Sequence, residues 1–381
     1  MIEKIHIQNF KSIYDLELEV GRVNLFIGEN GSGKSNLLEA LVFVSASESN
    51  MLANEFLVSR GLRVPEPELM RSAFDEGDRD ENIKIKIDKE IDVEFKHDNK
   101  EYSKWSMNDL TRTESIEFES KDLNRLKNTL ENYDTSFLGN LTLEDKLNFI
   151  LKVTMKADGF KGFFLEKFII YSPENTALRV FQKEGQIQPL GINGEGLLKL
   201  LKVINTYEDK NYINTIIESL QLFNWFEDIT IPSESLEDKV VIKDKFLYRE
   251  FTQKSANEGF LFILFYITLI VAKETPKAFA IDNIDASLNP KLCTKLMTLL
   301  TDLAKKYDKQ IFLTTHNPAI LDGVDLNDNE QKLFVVSRNK KGYTRMKEIT
   351  AKDKPKSSTN EPLKLSEAFL RGYLGGLPKG F

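Results

Sequence analysis

Eight consecutive residues, Gly28-Glu-Asn-Gly-Ser-Gly-Lys34-Ser35, carry the spacing G-x-x-x-x-G-K-[ST], the pattern of a loop that cradles phosphate. Glycines let such a backbone curl so that its N–H groups face phosphate oxygens. The helix that follows adds the partial positive charge of its first turn. Asn30, Gly31, Ser32, Gly33 and Asn36 then line the cradle. The Lys34 ammonium reaches the β- and γ-phosphates, and the Ser35 hydroxyl ligates Mg²⁺. A loop of this kind also needs an acid for the metal. Asp282 fits, at the end of the apolar run Ala278-Phe-Ala-Ile281. A third element, Thr314-Thr-His316-Asn-Pro318, follows another apolar run, and its histidine can reach the γ-phosphate or an attacking water. The other two histidines, His6 and His97, fall in strand patterns, where a solvated or hydrogen-bonded ring is the ordinary outcome.

These groups act together only if regular elements hold them. Residues 23–27 read as a strand and 35–43 as a helix, which places the loop between them. Ile5 with Ile7, then Leu16 with Leu18 between acids, mark two earlier strands. From 45 to about 159 charge is dense: 83–95 alternates like a hairpin, 98–100 reads as a turn before 102–107, and 123–133 and 143–155 have helical period. This stretch reads as an inserted lobe, separate from the nucleotide core. Residues 164–171 read as a buried strand, and 194–203 and 212–223 as helices. A second half of the core begins near 240. It holds a hairpin (240–251), a helix buried on all sides from Gly259, a strand ending at Asp282, a helix from Asn289-Pro290 to about 306, a strand over 311–315 and a closing hairpin (332–337, 343–349). The expected division is a core of 1–45 and 240–350, an inserted lobe and helical region over 46–239, and a linker and tail over 351–381.

The bulk properties narrow the class. The chain has 381 residues, 41% hydrophobic and 29% charged, as a soluble globular protein does. A formal net charge of −7 argues against a generally basic nucleic-acid coat. The single cysteine, Cys293, rules out an intrachain disulfide and a paired-cysteine zinc site, and a cytoplasmic setting is the natural reading. The first residues open into a strand pattern rather than a charged-then-apolar leader. The longest apolar run, 259–272, is shorter than the roughly 18 residues a membrane span needs. Arg338, Lys340, Lys341, Arg345 and Lys347, followed by Lys352, Lys354 and Lys356, are either a solvated surface or a contact for nucleic acid or a partner.

Ile7-Gln-Asn-Phe10-Lys11-Ser12, followed by 26–37 around the loop, resembles the opening of the ABC-type ATPases of the RecF, SMC and OLD kind. The segments from Asp282 to Pro290 and from Thr315 to Pro318 resemble that group's Walker B, D-loop and switch-histidine segments. The resemblance covers roughly 1–45 and 240–340. It implies an α/β fold, an ABC-type P-loop ATPase head (mixed sheet with flanking helices) with an inserted α+β lobe. It also implies ATP and Mg²⁺ as cofactors, and a homodimer or higher homo-oligomer in which one subunit closes the other's site. The family's closing segment is a signature loop at a helix start, matched here by Ser255-Ala-Asn257-Glu-Gly259. The family places Ser two residues before the Gly. Asn257 stands there instead and keeps a hydrogen-bond donor, with Ser255 two residues further back.

Two departures bear on catalysis. The family's Walker B acid is followed by a Glu that orients or deprotonates water. Here Asn283 follows, which is no base. The family's Gln after the first helix also has no counterpart, since none occurs between Gln8 and Gln182. Asp285 is the candidate replacement base, with His316 as γ-phosphate sensor. Without a base, a step of this kind loses roughly 10²–10⁴-fold. The resemblance is nearest to small ATPases of bacterial anti-phage systems. The lobe shows no sustained heptads, and the residues after His316 are too few for a TOPRIM nuclease. The expected function is therefore an ATP-dependent switch or sensor that controls a separately encoded effector, by analogy a nuclease. Its hydrolysis is expected to be slow or triggered by a partner. The alternatives are a RecF-like repair ATPase that clamps DNA in its ATP-bound dimer, and a non-hydrolysing scaffold with structural ATP.

Overall fold

The computed structural model describes residues 1–49, 51–74, 81–100, 103–111, 164–165, 167–181, 188–231, 239–355 and 362–376. The first strands, β1 (Lys4–Phe10) and β2 (Ile13–Glu19), pair antiparallel. β3 (Val23–Gly28) runs into the glycine-rich loop and α1 (Lys34–Glu48) leaves it, as the sequence predicts. Short helices α2 (Asn54–Ser59) and α3 (Pro67–Met70) lead to β4 (Ile83–Ile87), β5 (Ile91–Lys96) and β6 (Ser106–Asp109). Then come β7 (Ile170–Tyr171), α4 (Leu197–Asn205), α5 (Asn211–Leu220), β8 (Phe226–Thr230), β9 (Val241–Asp244) and β10 (Phe251–Thr252). The chain continues through α6 (Glu258–Val271), β11 (Ala278–Ile281), α7 (Pro290–Lys306), β12 (Gln310–Thr315), β13 (Gln331–Arg338), β14 (Thr344–Ile349) and α8 (Leu365–Leu370).

The central sheet has six strands in the order β14-β13-β3-β12-β11-β7. All its pairings are parallel except β13 with β14. Its inner strands are buried on both faces, which explains the unbroken apolar runs of β3, β11 and β12. Val23, Leu25 and Ile27 of β3 pack toward α4–α7, while Phe26 packs toward α1. α1 is therefore covered twice. The central sheet lies on one side and a five-stranded antiparallel sheet, β2-β1-β4-β5-β6, on the other. α6 is buried from Phe260 to Val271, the all-round burial its composition calls for.

Three expectations need correction. The hairpin over 83–96 is not part of a separate lobe: Ile5 and Ile7 of β1 pair with Ile87 and Ile85 of β4, so it extends the N-terminal sheet. Alternation had shown that these residues form strands, but not which strand they join. The strand expected over 164–171 shrinks to Ile170–Tyr171, the two residues in register with Ala280 and Ile281 of β11. The helix expected from 194 begins at Leu197, after the left-handed Gly194. The helices expected over 123–133 and 143–155 lie outside the described residues, as does Lys356.

Candidate functional site

Parallel strands β3, β12 and β11 are neighbours, so their C-terminal ends meet along one edge of the sheet. Open α/β sheets bind ligands at that edge. The loop follows β3, His316 follows β12 and Asp282 follows β11. The adjacency of these strands thus gathers residues 247 to 282 positions apart in sequence.

The loop has the backbone that glycine permits. Gly31 and Gly33 have φ of +75° and +104°. A Cβ on Gly33 would stand 2.0 Å from Thr344 Oγ1 and 2.8 Å from Ser12 Oγ. That crowding belongs to a hydrogen-bonded latch. Asn36 Nδ2 donates to Ser12 Oγ (2.6 Å), Ser12 Oγ lies 2.6 Å from Thr344 Oγ1, and Thr344 Oγ1 donates to the Ser32 carbonyl (2.9 Å). Ser32 Oγ is buried in the loop with no hydrogen-bond partner among the described residues. A buried hydroxyl of this kind suits a loop built for an oxygen-rich ligand.

Lys34 Nζ donates to the carbonyls of Gly28 and Glu29, both at 2.9 Å, and lies 3.4 Å from His316 Nδ1. Burial brings its pKa down to about 8, opposed by the charges of Asp282, Asp285 and Glu29. His316 is also lowered, first by partial burial and then by the Lys34 ammonium. At neutral pH the pair is thus a charged lysine beside a neutral imidazole, whose Nδ1 can accept.

Ser35 Oγ lies 3.3 and 3.2 Å from the two Asp282 carboxylate oxygens. Thr314 Oγ1 donates to Asp282 Oδ1 and accepts from the Asn283 N–H (2.9 Å). Thr315 Oγ1 donates to Asp285 Oδ1 (2.6 Å). Two adjacent threonines at the end of β12 therefore orient two carboxylates on the neighbouring chain segment. Asn283 itself is exposed and left-handed, with φ +56°. A hydroxyl and a carboxylate are hard oxygen donors, and Mg²⁺ is commonly held by one or two such groups plus phosphates and waters. The donor set therefore fits Mg²⁺. No cluster of three or more His, Cys, Asp or Glu that could hold a metal occurs among the described residues.

A cavity of about 580 Å³ opens beside the loop, with Lys11, Ser12, Asn36, Arg63 and Phe74 in its lining. Under it lies Glu39 of α1, 1% exposed, which accepts from Lys11 Nζ (2.5 Å) and Arg63 Nε (2.6 Å). Burial lowers the Lys11 pKa, and Glu39 opposes the shift. Sequence reasoning assigned no role to Lys11, Glu39, Arg63, Ser12, Thr314, Thr315 or Thr344. The threonine pair directly before His316 was the one visible signal, since hydroxyls at a strand's C-terminal end are well placed to bond acids on the next strand.

The remaining candidates lie elsewhere. Asn257 caps α6, its Oδ1 accepting from the Phe260 N–H (2.8 Å). Its carbonyl is thus engaged, and Nδ2 is the group left to serve as a donor. Ser255 and Asn257 are exposed, and a Cβ on Gly259 would stand 3.1 Å from the Ser287 carbonyl. The three residues therefore cluster at the start of α6, beside the segment that leads into α7.

A family model described as "AAA ATPase domain" (AAA_15) matches residues 1–228, and one described as "AAA domain, putative AbiEii toxin, Type IV TA system" (AAA_21) matches 217–322. Uncharacterized protein MJECL10 of Methanocaldococcus jannaschii is 46% identical over 67 residues, 16% of this chain and 31% of that protein. The DNA replication and repair protein RecF of Listeria welshimeri is 42% identical over 55 residues, 14% of this chain and 15% of that protein. The chain thus spans a third or less of these curated relatives. A crystal structure of the Smc head bound to the C-winged helix domain of ScpA superposes with a TM-score of 0.55, at 14% identity, over 92% of this chain and 99% of that one. That likeness shows the fold. No helix among the described residues is long and apolar enough to cross a membrane. With a family model covering more than half its length on a phosphate-loop α/β head, the chain belongs to the AAA ATPase domain family.

Proposed function

We propose that this ATPase is a nucleotide-dependent switch, in which Mg²⁺–ATP binding pairs two copies and slow hydrolysis resets them. One observation carries this reading. The position after Asp282 holds the amide of Asn283, and the carboxylates of Asp282 and Asp285 are already bonded to Thr314 and Thr315. The bound nucleotide supplies the electrophilic γ-phosphoryl group. The loop N–H groups, with Asn30, Gly31, Ser32, Gly33 and Asn36, hold its phosphates, aided by Lys34. Ser35 and Asp282 would hold the metal, and neutral His316 would serve as the sensor of the γ-phosphate. Asp285 is the carboxylate that would take the water's proton, at the cost of its bond from Thr315. The cavity beside Asn36 suits the nucleoside. Ser255, the Asn257 amide and Gly259 complete the site of a second copy, where the first turn of α6 adds its dipole.

The paired state, in this reading, engages a separately encoded effector, a nuclease, in cytoplasmic anti-phage defence. That setting rests on the resemblance of residues 1–45 and 240–340 to small ATPases of bacterial anti-phage systems. A second reading is a DNA clamp of the RecF kind. It is favoured by the RecF likeness and by exposed Arg338, Lys340, Lys341, Arg345 and Lys347 on the β13–β14 hairpin. ATP-dependent DNA binding that weakens steeply with salt would favour it.

Single-turnover phosphate release tests the switch. Wild type is expected to be slow, Lys34→Ala inactive, and Asn283→Glu faster by about 10²-fold or more, because it restores a base. A rapid wild type that Asn283→Glu slows would refute the account of the missing carboxylate.

A further inference from the structure

Three consecutive large side chains stand in solvent at the turn between β9 and β10: Phe246 is 80% exposed, Leu247 57% and Tyr248 100%. The turn that carries them is tied at its start. The Lys245 N–H donates to the Trp225 carbonyl (2.9 Å), and the Phe246 N–H donates to Asp244 Oδ1 (2.7 Å). A contiguous apolar tip in water marks an interaction surface. It adjoins the start of α6: a cavity of about 540 Å³ has Leu247, Ser255 and Asn257 together in its lining.

The cavity beside the phosphate loop has a matching wall. Val64, Pro65, Leu69 and Phe74 line it, and Leu69 is 54% exposed. Arg338 and Arg63, whose side chain is 69% exposed, also border it. Guanidinium groups attract aromatic faces. The tip offers two aromatic rings flanked by the acids Asp244 and Glu250. The cavity offers an apolar wall flanked by arginines.

We propose that Phe246, Leu247 and Tyr248 of one copy dock on the Val64–Leu69–Phe74 wall of a second copy and so close the outer side of its nucleotide cavity. This rests on the pairing reading above. If Ser255 and Asn257 of one copy meet the loop of another, the tip beside Asn257 meets the cavity beside Asn36. A two-fold arrangement makes the contact twice, once at each site. The partner is thus a second copy of this chain, and the tip is its anchor.

Cross-linking of full-length chains tests the contact. The native Cys293 is fully buried, and burial pushes its thiol up to about 11, so wild type is an unreactive control. A Tyr248→Cys chain is mixed with a differently tagged Leu69→Cys chain under mild oxidation. The expected result is a mixed disulfide dimer that forms with Mg²⁺–ATP and is lost without nucleotide or in a Lys34→Ala background. In parallel, a Phe246→Ser/Tyr248→Ser chain should keep binding of a fluorescent ATP analogue. It should lose the dimer by sedimentation at concentrations where wild type pairs. Cysteine chains that pair with Mg²⁺–ATP yet form no mixed disulfide, or a tip variant that pairs as well as wild type, overturn the docking contact and leave the nucleotide site standing. Wild type that binds no nucleotide, or binds it without pairing, overturns the pairing reading and this contact with it.

Discussion

Thr314→Val separates the stability of the head from its grip on metal. Thr314 is fully buried, and its hydroxyl makes two bonds, to the Asp282 carboxylate and from the Asn283 N–H. Valine keeps the β-branched shape and deletes both. A hydrogen bond to a charged group contributes about 1.5–3 kcal/mol, and stranding its partner costs a comparable amount when water cannot reach it. Both bonds are part-buried, so the net loss of stability should be about 2–3 kcal/mol. The functional effect is separate. Asp282 loses the group that fixes its orientation, and losing a supporting bond of this kind typically weakens metal affinity about 10–100-fold. Urea unfolding without nucleotide reads the first effect. Calorimetric titration with ATP, with and without magnesium, reads the second. The loss of affinity should appear only with magnesium present, because the loop and Lys34 are untouched. Equal loss with and without metal, or unchanged magnesium-dependent affinity in a destabilised protein, would refute the orienting role of Thr314.

Gly33→Ala should destabilise the chain by about 2–5 kcal/mol, combining overpacking with a left-handed backbone. The added methyl would collide with Thr344 Oγ1 at 2.0 Å, so Thr344→Ala in the same chain should recover part of the loss in guanidinium melts. The pH dependence of stability tests Lys309. Burial pushes its pKa down to about 7, while Ala272 O, Thr275 O, Thr275 Oγ1 and Pro276 O accept from its Nζ at 2.9–3.1 Å. A lysine depressed in the folded state binds fewer protons there than when unfolded. Stability should therefore rise between pH 7 and 10, at up to about 1.4 kcal/mol per unit, relative to Lys309→Met. A flat difference would mean that the four oxygens hold the ammonium against burial.

The chemistry of the loop was legible because its spacing is local: eight residues fix the cradle, and the apolar runs before Asp282 and His316 mark strand ends. What could not be read is what these residues bond to across the fold. Thr314 and Thr315 gain meaning only when β12 lies beside β11, and Glu39 only when Lys11 and Arg63 arrive from 28 and 24 residues away. The partner of the 83–96 hairpin was hidden for the same reason, since alternation specifies a face and not a neighbour. Asn257 was legible through the resemblance, as the residue two before Gly259, and the structure adds that its carbonyl is spent on the cap.

The latch on the phosphate loop has a consequence during synthesis. β3 needs β12 and β13 as flanking strands, and the Ser32 carbonyl needs the hydroxyl of Thr344, which is encoded 312 residues later. At about 5–20 residues per second, a ribosome takes about 15–60 s to cover that interval. Throughout it, the emerging chain carries a complete glycine-rich segment without the fold that shapes it, so nucleotide capture must await the synthesis of β14.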